Sequence, residues 1–337
     1  MSEKRTEKLP FIDWLRFAGM ISIILCHMVQ TDGSKVSFLA QIFNLGVQVF
    51  FLVSGFSLGL QGEITDKKKW YTRRLKKIFI PYILFLVVLF IVYCFKPYYF
   101  HQITPGVVAV TLLGMQGFTK GILGATHTWF ITSILIFYAV LPVFSKIWFS
   151  VRNIKWKKTA VLLAVLAAFV LTYLLLEKPY AVVIAPVFMS MISYAIGTVW
   201  KDGLCNKIKA LPSVVFLIAF CLLRIVGAFM TIGKLELLTV ALSTFGIAFA
   251  CCALSVLVFK KDKCNRLVKY LAGISFEVYL YHNMFIEGPI YLMYQTDSVI
   301  FNILITTAAI FISAIMANKA DTFLSSKLFI TKKGIDS

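Results

Sequence analysis

Charge is scarce in this chain, and acidic charge is scarcest. Of 337 residues only 15% are Asp, Glu, Lys or Arg, and Lys and Arg outnumber Asp and Glu by 34 to 15. Soluble domains carry about 25% charged residues, so a water-facing globule is excluded. Histidine is rarer still, with four in the whole chain. Internal repeats, inverted or parallel, are missing, which counts against a repeat-built transporter. Low-complexity stretches are missing too. The seven cysteines are odd in number, lack metal-ligand spacing and lie mostly inside apolar runs. Neither a disulfide framework nor a metal site is expected from them. The first apolar run is long, carries charges and has no small-residue cleavage site, so it is expected to stay in the membrane and not to leave as a signal peptide.

What fills the chain instead is apolar: 60% of residues are hydrophobic, with 31 Phe and 14 Tyr. The expected fold is an all-α polytopic membrane protein. Apolar runs long enough to cross a bilayer fall at about 11–29, 37–60, 78–95, 127–148, 159–176, 181–200, 213–231, 235–259, 271–293 and 298–317, giving ten expected transmembrane helices. A further piece near 103–118 is short, begins Thr104-Pro105-Gly106 and holds Gly114 and Gly117. It is expected to be re-entrant or interfacial. With ten crossings and both termini cytoplasmic, the internal segments hold 27 Lys and Arg and the external loops 5, as the positive-inside rule requires. Counting 103–118 as an eleventh crossing would put Lys155, Lys157 and Lys158 outside. The net charge of +19 is thus accounted for by topology and contact with anionic membrane lipid, and no nucleic-acid partner is expected. The whole of 1–337 reads as one membrane-embedded domain, with spans over about 11–317 and no appended soluble domain.

Ionisable groups inside apolar spans are costly and usually serve a purpose. The first span carries Asp13, Arg16 and His27. Eleven residues separate Arg16 from His27, only about 20° from three full turns, so they share a face about 16 Å apart along the axis. Two readings of His27 stay open: a packed histidine donating to a nearby carbonyl, or a general base. Arg16 either neutralises Asp13 at i, i+3 or faces a cavity that takes an anionic ligand. His282, in Val278-Tyr279-Leu280-Tyr281-His282, is expected at a similar depth to His27, and His127 opens the fourth span on the same outer side, two residues before Trp129. The run Arg73-Arg74-Leu75-Lys76-Lys77 leads into Ile78-Phe79-Ile80-Pro81. It is a topology signal and lipid anchor, or a phosphate-binding patch in which Arg74 and Lys77 reach one ligand. Ser54, Gly55 and Gly59 suit close helix packing. Glu277 and Arg224 are also intramembrane and expected to be structurally paired.

Taken together, these motifs resemble the acyltransferase family 3 membrane proteins. Asp13-Trp14-Leu15-Arg16 with His27 is similar to that family's Arg-x10-His motif. The segment from Gly46 to Ser54-Gly55-Phe56 resembles its second-span signature, and Arg74 to Lys77 before Pro81, at the end of the loop 61–77, resembles its basic loop. His127-Thr128-Trp129-Phe130 through Pro142, and Ile274 through His282, look like later motifs. The resemblance covers about residues 9–317. It implies a membrane-bound O-acyltransferase that takes an acyl group, acetyl most often, from cytosolic acyl-CoA as co-substrate. The acceptor would be a hydroxyl of a cell-surface polysaccharide or its lipid-linked precursor, and the location a bacterial plasma membrane. Under it His27 acts in catalysis with His282 and Tyr279 beside it, and Arg16, Arg73, Arg74 and Lys77 meet the donor's phosphates. His127 and Trp129 then face the acceptor, and no metal takes part. The chain departs from the family pattern at Lys77, where a second arginine is usual, and at Ile134, where one branch has an acidic residue. A transporter or flippase of a lipid-linked sugar is the rival reading, since a polar track through apolar spans serves that purpose too.

Overall fold

A computed structural model of the chain describes residues 9–31, 40–96, 103–119, 121–230, 233–259 and 265–330. Among them, eight helices are long and apolar enough to cross a membrane. They belong to α1 (Pro10–Thr31), α4 (Lys67–Cys94), α6 (Trp129–Val151), α7 (Lys155–Leu175), α8 (Lys178–Thr198), α9 (Ala210–Phe229), α10 (Gly233–Phe259) and α13 (Val299–Ile330). Their sequences supply the reason: long stretches of high mean hydropathy with few charges, whose backbone polar groups a helix satisfies within its own segment in lipid.

The two other expected spans, 37–60 and 271–293, are shorter and broken. In the first, α2 (Ala40–Phe43) stops at Asn44 before α3 (Leu45–Gly59) begins. Ser22 donates to the Phe43 carbonyl at 2.6 Å, so that carbonyl has a partner outside its own helix. In the second, α11 (Arg266–Gly273) gives way to α12 (Ser275–Ile286) across Gly273 and Ile274. Gly288 and Pro289 follow at once and end the regular helix. Fifteen and twelve residues rise about 22 and 18 Å, short of a hydrocarbon core of about 30 Å. In the 103–118 piece, α5 (Pro105–Leu112) is an eight-residue helix, about 12 Å long and too short to cross. Tyr82 on α4 donates to the Thr111 carbonyl at 2.5 Å, and Gln116 donates to the Thr128 carbonyl at 3.1 Å. These bonds tie the piece to its neighbours in the chain.

The helices group into two compact units. One contains residues 1–23, 42–67 and 132–272; the other contains 24–41, 68–131 and 273–337. In the first unit α3 lies against α8 at backbone distance. A Cβ on Gly55 would stand 2.2 Å from the Ser190 carbonyl oxygen, so only glycine permits the approach. Ser193 donates to the Leu52 carbonyl at 2.6 Å across the same seam. By contrast only 6% of the apolar window of α9 is buried within the protein, and Leu211, Leu222 and Phe229 are exposed. That surface belongs against lipid. In the second unit α12 and α13 pair, with Asn318 donating to Glu277 at 2.8 Å.

Candidate active site

The second unit gathers three of the four histidines. His27 comes from the last turns of α1, His127 from the short 3-10 turn Thr126–Thr128 ahead of α6, and His282 from α12. The His27 and His282 rings are 5.0 Å apart between centroids, and the His282 and His127 rings 4.7 Å. Tyr279 lies 5.1 Å from His127 and 5.7 Å from His282.

Local chemistry explains why these segments meet. Gly124 has φ +79, the left-handed region, and a Cβ there would stand 2.8 Å from Pro289. This turn therefore packs directly on the end of α12. Two residues later Asn283 donates to Thr126 at 3.1 Å, His127 Nε2 meets the Leu280 carbonyl at 3.1 Å, and the Tyr279 hydroxyl donates to the His127 carbonyl. Phe85 of α4 closes the far side, its ring 6.1 Å from His127.

The partners fix the protons. A backbone carbonyl only accepts, so His127 carries its proton on Nε2 and His282, whose Nδ1 faces the Tyr279 carbonyl at 2.5 Å, carries its own on Nδ1. The remaining nitrogens, His127 Nδ1 and His282 Nε2, are buried lone pairs with no hydrogen-bond partner among the described residues. Asn283 Oδ1 and Gln116 Oε1 are in the same condition. All four orphan atoms are acceptors. A buried unpartnered polar atom costs about 1–3 kcal/mol, so these four acceptors leave an unmet demand for hydrogen-bond donors.

His27 differs from the other two histidines. His282 and His127 are 0% and 5% exposed, whereas the His27 side chain keeps 23% of its surface open. Its Nδ1 faces Glu287 Oε1 at 3.5 Å, and Glu287 is 32% open. With a carboxylate as the acceptor, the proton of this pair belongs on Nδ1. Such contacts are commonly long before substrate binds. Glu287 escaped the sequence reading: it sits five residues beyond His282 at the end of a run with no motif of its own. Its one signal was a carboxylate beside Gly288-Pro289, where a helix must stop.

The other expected site residues lie as follows. Trp129 is half-buried in the first turn of α6. Arg73, Arg74 and Lys77 are not in a loop but on the first turns of α4, with Arg73 and Lys77 exposed and Arg74 partly buried. Eleven residues, about 16 Å of helix, separate Arg74 from Phe85, the residue that touches His127. Arg16 is partly buried in the first half of α1 and belongs with the first unit; α1 is unbroken between it and His27. Among the described residues no group of three His, Cys, Asp or Glu has the geometry to hold a metal ion.

A family model described as an acyltransferase domain matches residues 9–318. No curated protein and no solved structure matches the chain.

Proposed function

The chain belongs to acyltransferase family 3, and from that membership we propose that it moves an acyl group, acetyl first among candidates, from cytosolic acyl-CoA to a hydroxyl of a surface polysaccharide or its lipid-linked precursor. The observation that carries the reading is the His27–Glu287 pair backed by orphan acceptors on His127, His282 and Asn283. A sugar is the donor-rich ligand those acceptors suit. Membership gives acyl transfer in general, which sets the sugar-transport reading aside.

In the proposed reaction His27 Nε2 takes the proton of the acceptor hydroxyl as its oxygen attacks the thioester carbonyl. Glu287 stabilises the imidazolium that forms. The C–S bond then breaks, and the imidazolium returns its proton to the departing thiolate. His282 Nε2 accepts from the sugar and orients it; its N–H and the Tyr279 O–H are both spent on backbone carbonyls, which makes them positioning groups and not oxyanion donors. Trp129 offers a ring face to the sugar. Arg73, Arg74 and Lys77 take the donor's phosphates, and about 16 Å of α4 is on the scale of the arm between phosphate and thioester. Ten crossings with cytoplasmic ends, in a bacterial plasma membrane, complete the proposal. The 27-to-5 distribution of basic residues supports that orientation.

The test is label transfer. Purified protein in nanodiscs, given radiolabelled acetyl-CoA and envelope glycan, is expected to label the glycan, and His27→Ala is expected to label none while remaining folded. Labelling by His27→Ala at the wild-type rate would remove His27 from the chemistry.

A further inference from the structure

The first unit contains a cavity that the transfer reaction does not use. It measures about 310 Å³ and is walled by α1, α3, α8, α10 and the connector after α8, with Phe11, Phe56, Trp200, Leu204, Ile208 and Val256 among its lining. The one hydroxyl on the wall belongs to Ser193, and it is already donated to the Leu52 carbonyl. A cavity without hydrogen-bonding groups rejects water and sugars, and takes hydrocarbon. At about 310 Å³ the cavity is about twice the size of an apolar cavity of about 150 Å³ that holds one benzene, which is room for a stretch of one aliphatic chain.

Charge at the rim indicates what the chain is attached to. Lys207 and Lys209 are exposed on either side of Ile208, which lines the cavity. In sequence, basic residues also precede Phe11 (Lys4, Arg5, Lys8) and follow Val256 (Lys260, Lys261, Lys263). The connector runs straight into α9, the helix whose surface faces lipid, so the occupant arrives from the bilayer.

We propose that this cavity holds one acyl chain of an anionic membrane phospholipid, with the headgroup resting on Lys207 and Lys209. The bound lipid would fill the space between the first turns of α1 and the α8–α9 connector and brace the first unit.

Trp200, in the cavity wall, reports occupancy. The full-length protein is placed in phosphatidylcholine nanodiscs doped with phosphatidylglycerol or phosphatidylcholine brominated in mid-chain, and the Trp200 signal is isolated by difference against Trp200→Phe. Two lysines, each worth about fivefold toward an anionic headgroup, predict half-quenching at about thirtyfold lower mole fraction for the glycerol lipid. Lys207→Glu with Lys209→Glu is expected to erase that preference; both side chains are exposed, so folding is not at stake. Ala253→Phe, filling the cavity, is expected to abolish Trp200 quenching by either lipid. Equal quenching by both lipids, or a preference that survives charge reversal, overturns the proposal. So does relief of quenching by dodecanoyl-CoA, which would make the cavity a donor subsite. No acyl transfer enters the measurement, so its outcome is separate from that of the transfer assay.

Discussion

Replacing Glu287 with Gln removes a charge from the site and keeps its shape, which makes it the sharpest probe of the proposed base. At 3.5 Å two unit charges attract by about 4.7 kcal/mol at an effective dielectric of 20, and by about 1.2 kcal/mol in bulk water. Both partners are partly open, at 23% and 32%, so screening brings the interaction to about 2–3 kcal/mol. In the proposed reaction the imidazolium forms as the proton is taken up, so the loss falls on the transition state. That is about 30- to 150-fold in kcat at 1.36 kcal/mol per decade, with KM for acyl-CoA unchanged. The assay is release of the CoA thiol by purified protein in nanodiscs at saturating acceptor. In the double variant His27→Ala with Glu287→Gln, the second change is expected to add nothing, because the carboxylate acts only through the ring. A kcat within twofold of wild type for Glu287→Gln would refute the pair.

Three further outcomes follow from the same coordinates. Reversing Arg74 and Lys77 to Glu is expected to raise KM for acyl-CoA at least about tenfold and to leave kcat in place, read from the same thiol assay, because phosphate contacts act on binding and not on the chemical step. Gly55→Val forces a Cβ toward an oxygen 2.2 Å away and is expected to destabilise the α3–α8 seam by about 1–3 kcal/mol or more, read as a lower thermal midpoint in detergent, with Gly55→Ala between it and wild type. Asn318→Ala strips Glu277 of the donor at 2.8 Å and is expected to cost about 1–3 kcal/mol, with faster hydrogen exchange in α12 and α13 than elsewhere.

The long helices were legible because an eighteen-residue apolar window leaves the backbone one solution in lipid. The family was legible because its motifs are local. Spans two and nine were less so: hydropathy sums over a window and cannot see a break set by a hydroxyl twenty-one residues away, as at Ser22 and Phe43. The basic motif was read as a loop because charge ends a hydropathy window, yet Lys and Arg are good helix formers and α4 runs through them. Glu287 was invisible for a different reason. A carboxylate gains a role from the imidazole 260 residues earlier that it faces, and no spacing within the chain encodes that pairing. The halt imposed by Gly288-Pro289, and the fit of Gly124 against it, set where that carboxylate stands.

The three clustered histidines are not interchangeable, and their backbone partners decide between them. A base must present a lone pair to substrate and must tolerate a positive charge while it holds the proton. His127 and His282 each present a lone pair, but both are fully enclosed, and the counter-groups at their N–H ends are neutral carbonyls of Leu280 and Tyr279. Charging either one means carrying an imidazolium in a dry pocket without an anion, an arrangement that burial strongly opposes. His27 has the carboxylate, the opening and the edge position. In the proposed reaction the two enclosed rings therefore stay neutral acceptors, and the proton moves through His27. His282→Gln, which restores a carbonyl acceptor in place of the Nε2 lone pair, should weaken acceptor binding several-fold while retaining turnover, whereas His27→Gln should retain none. Turnover lost equally in both variants, with acceptor KM unchanged, would mean that the proton travels across more than one ring.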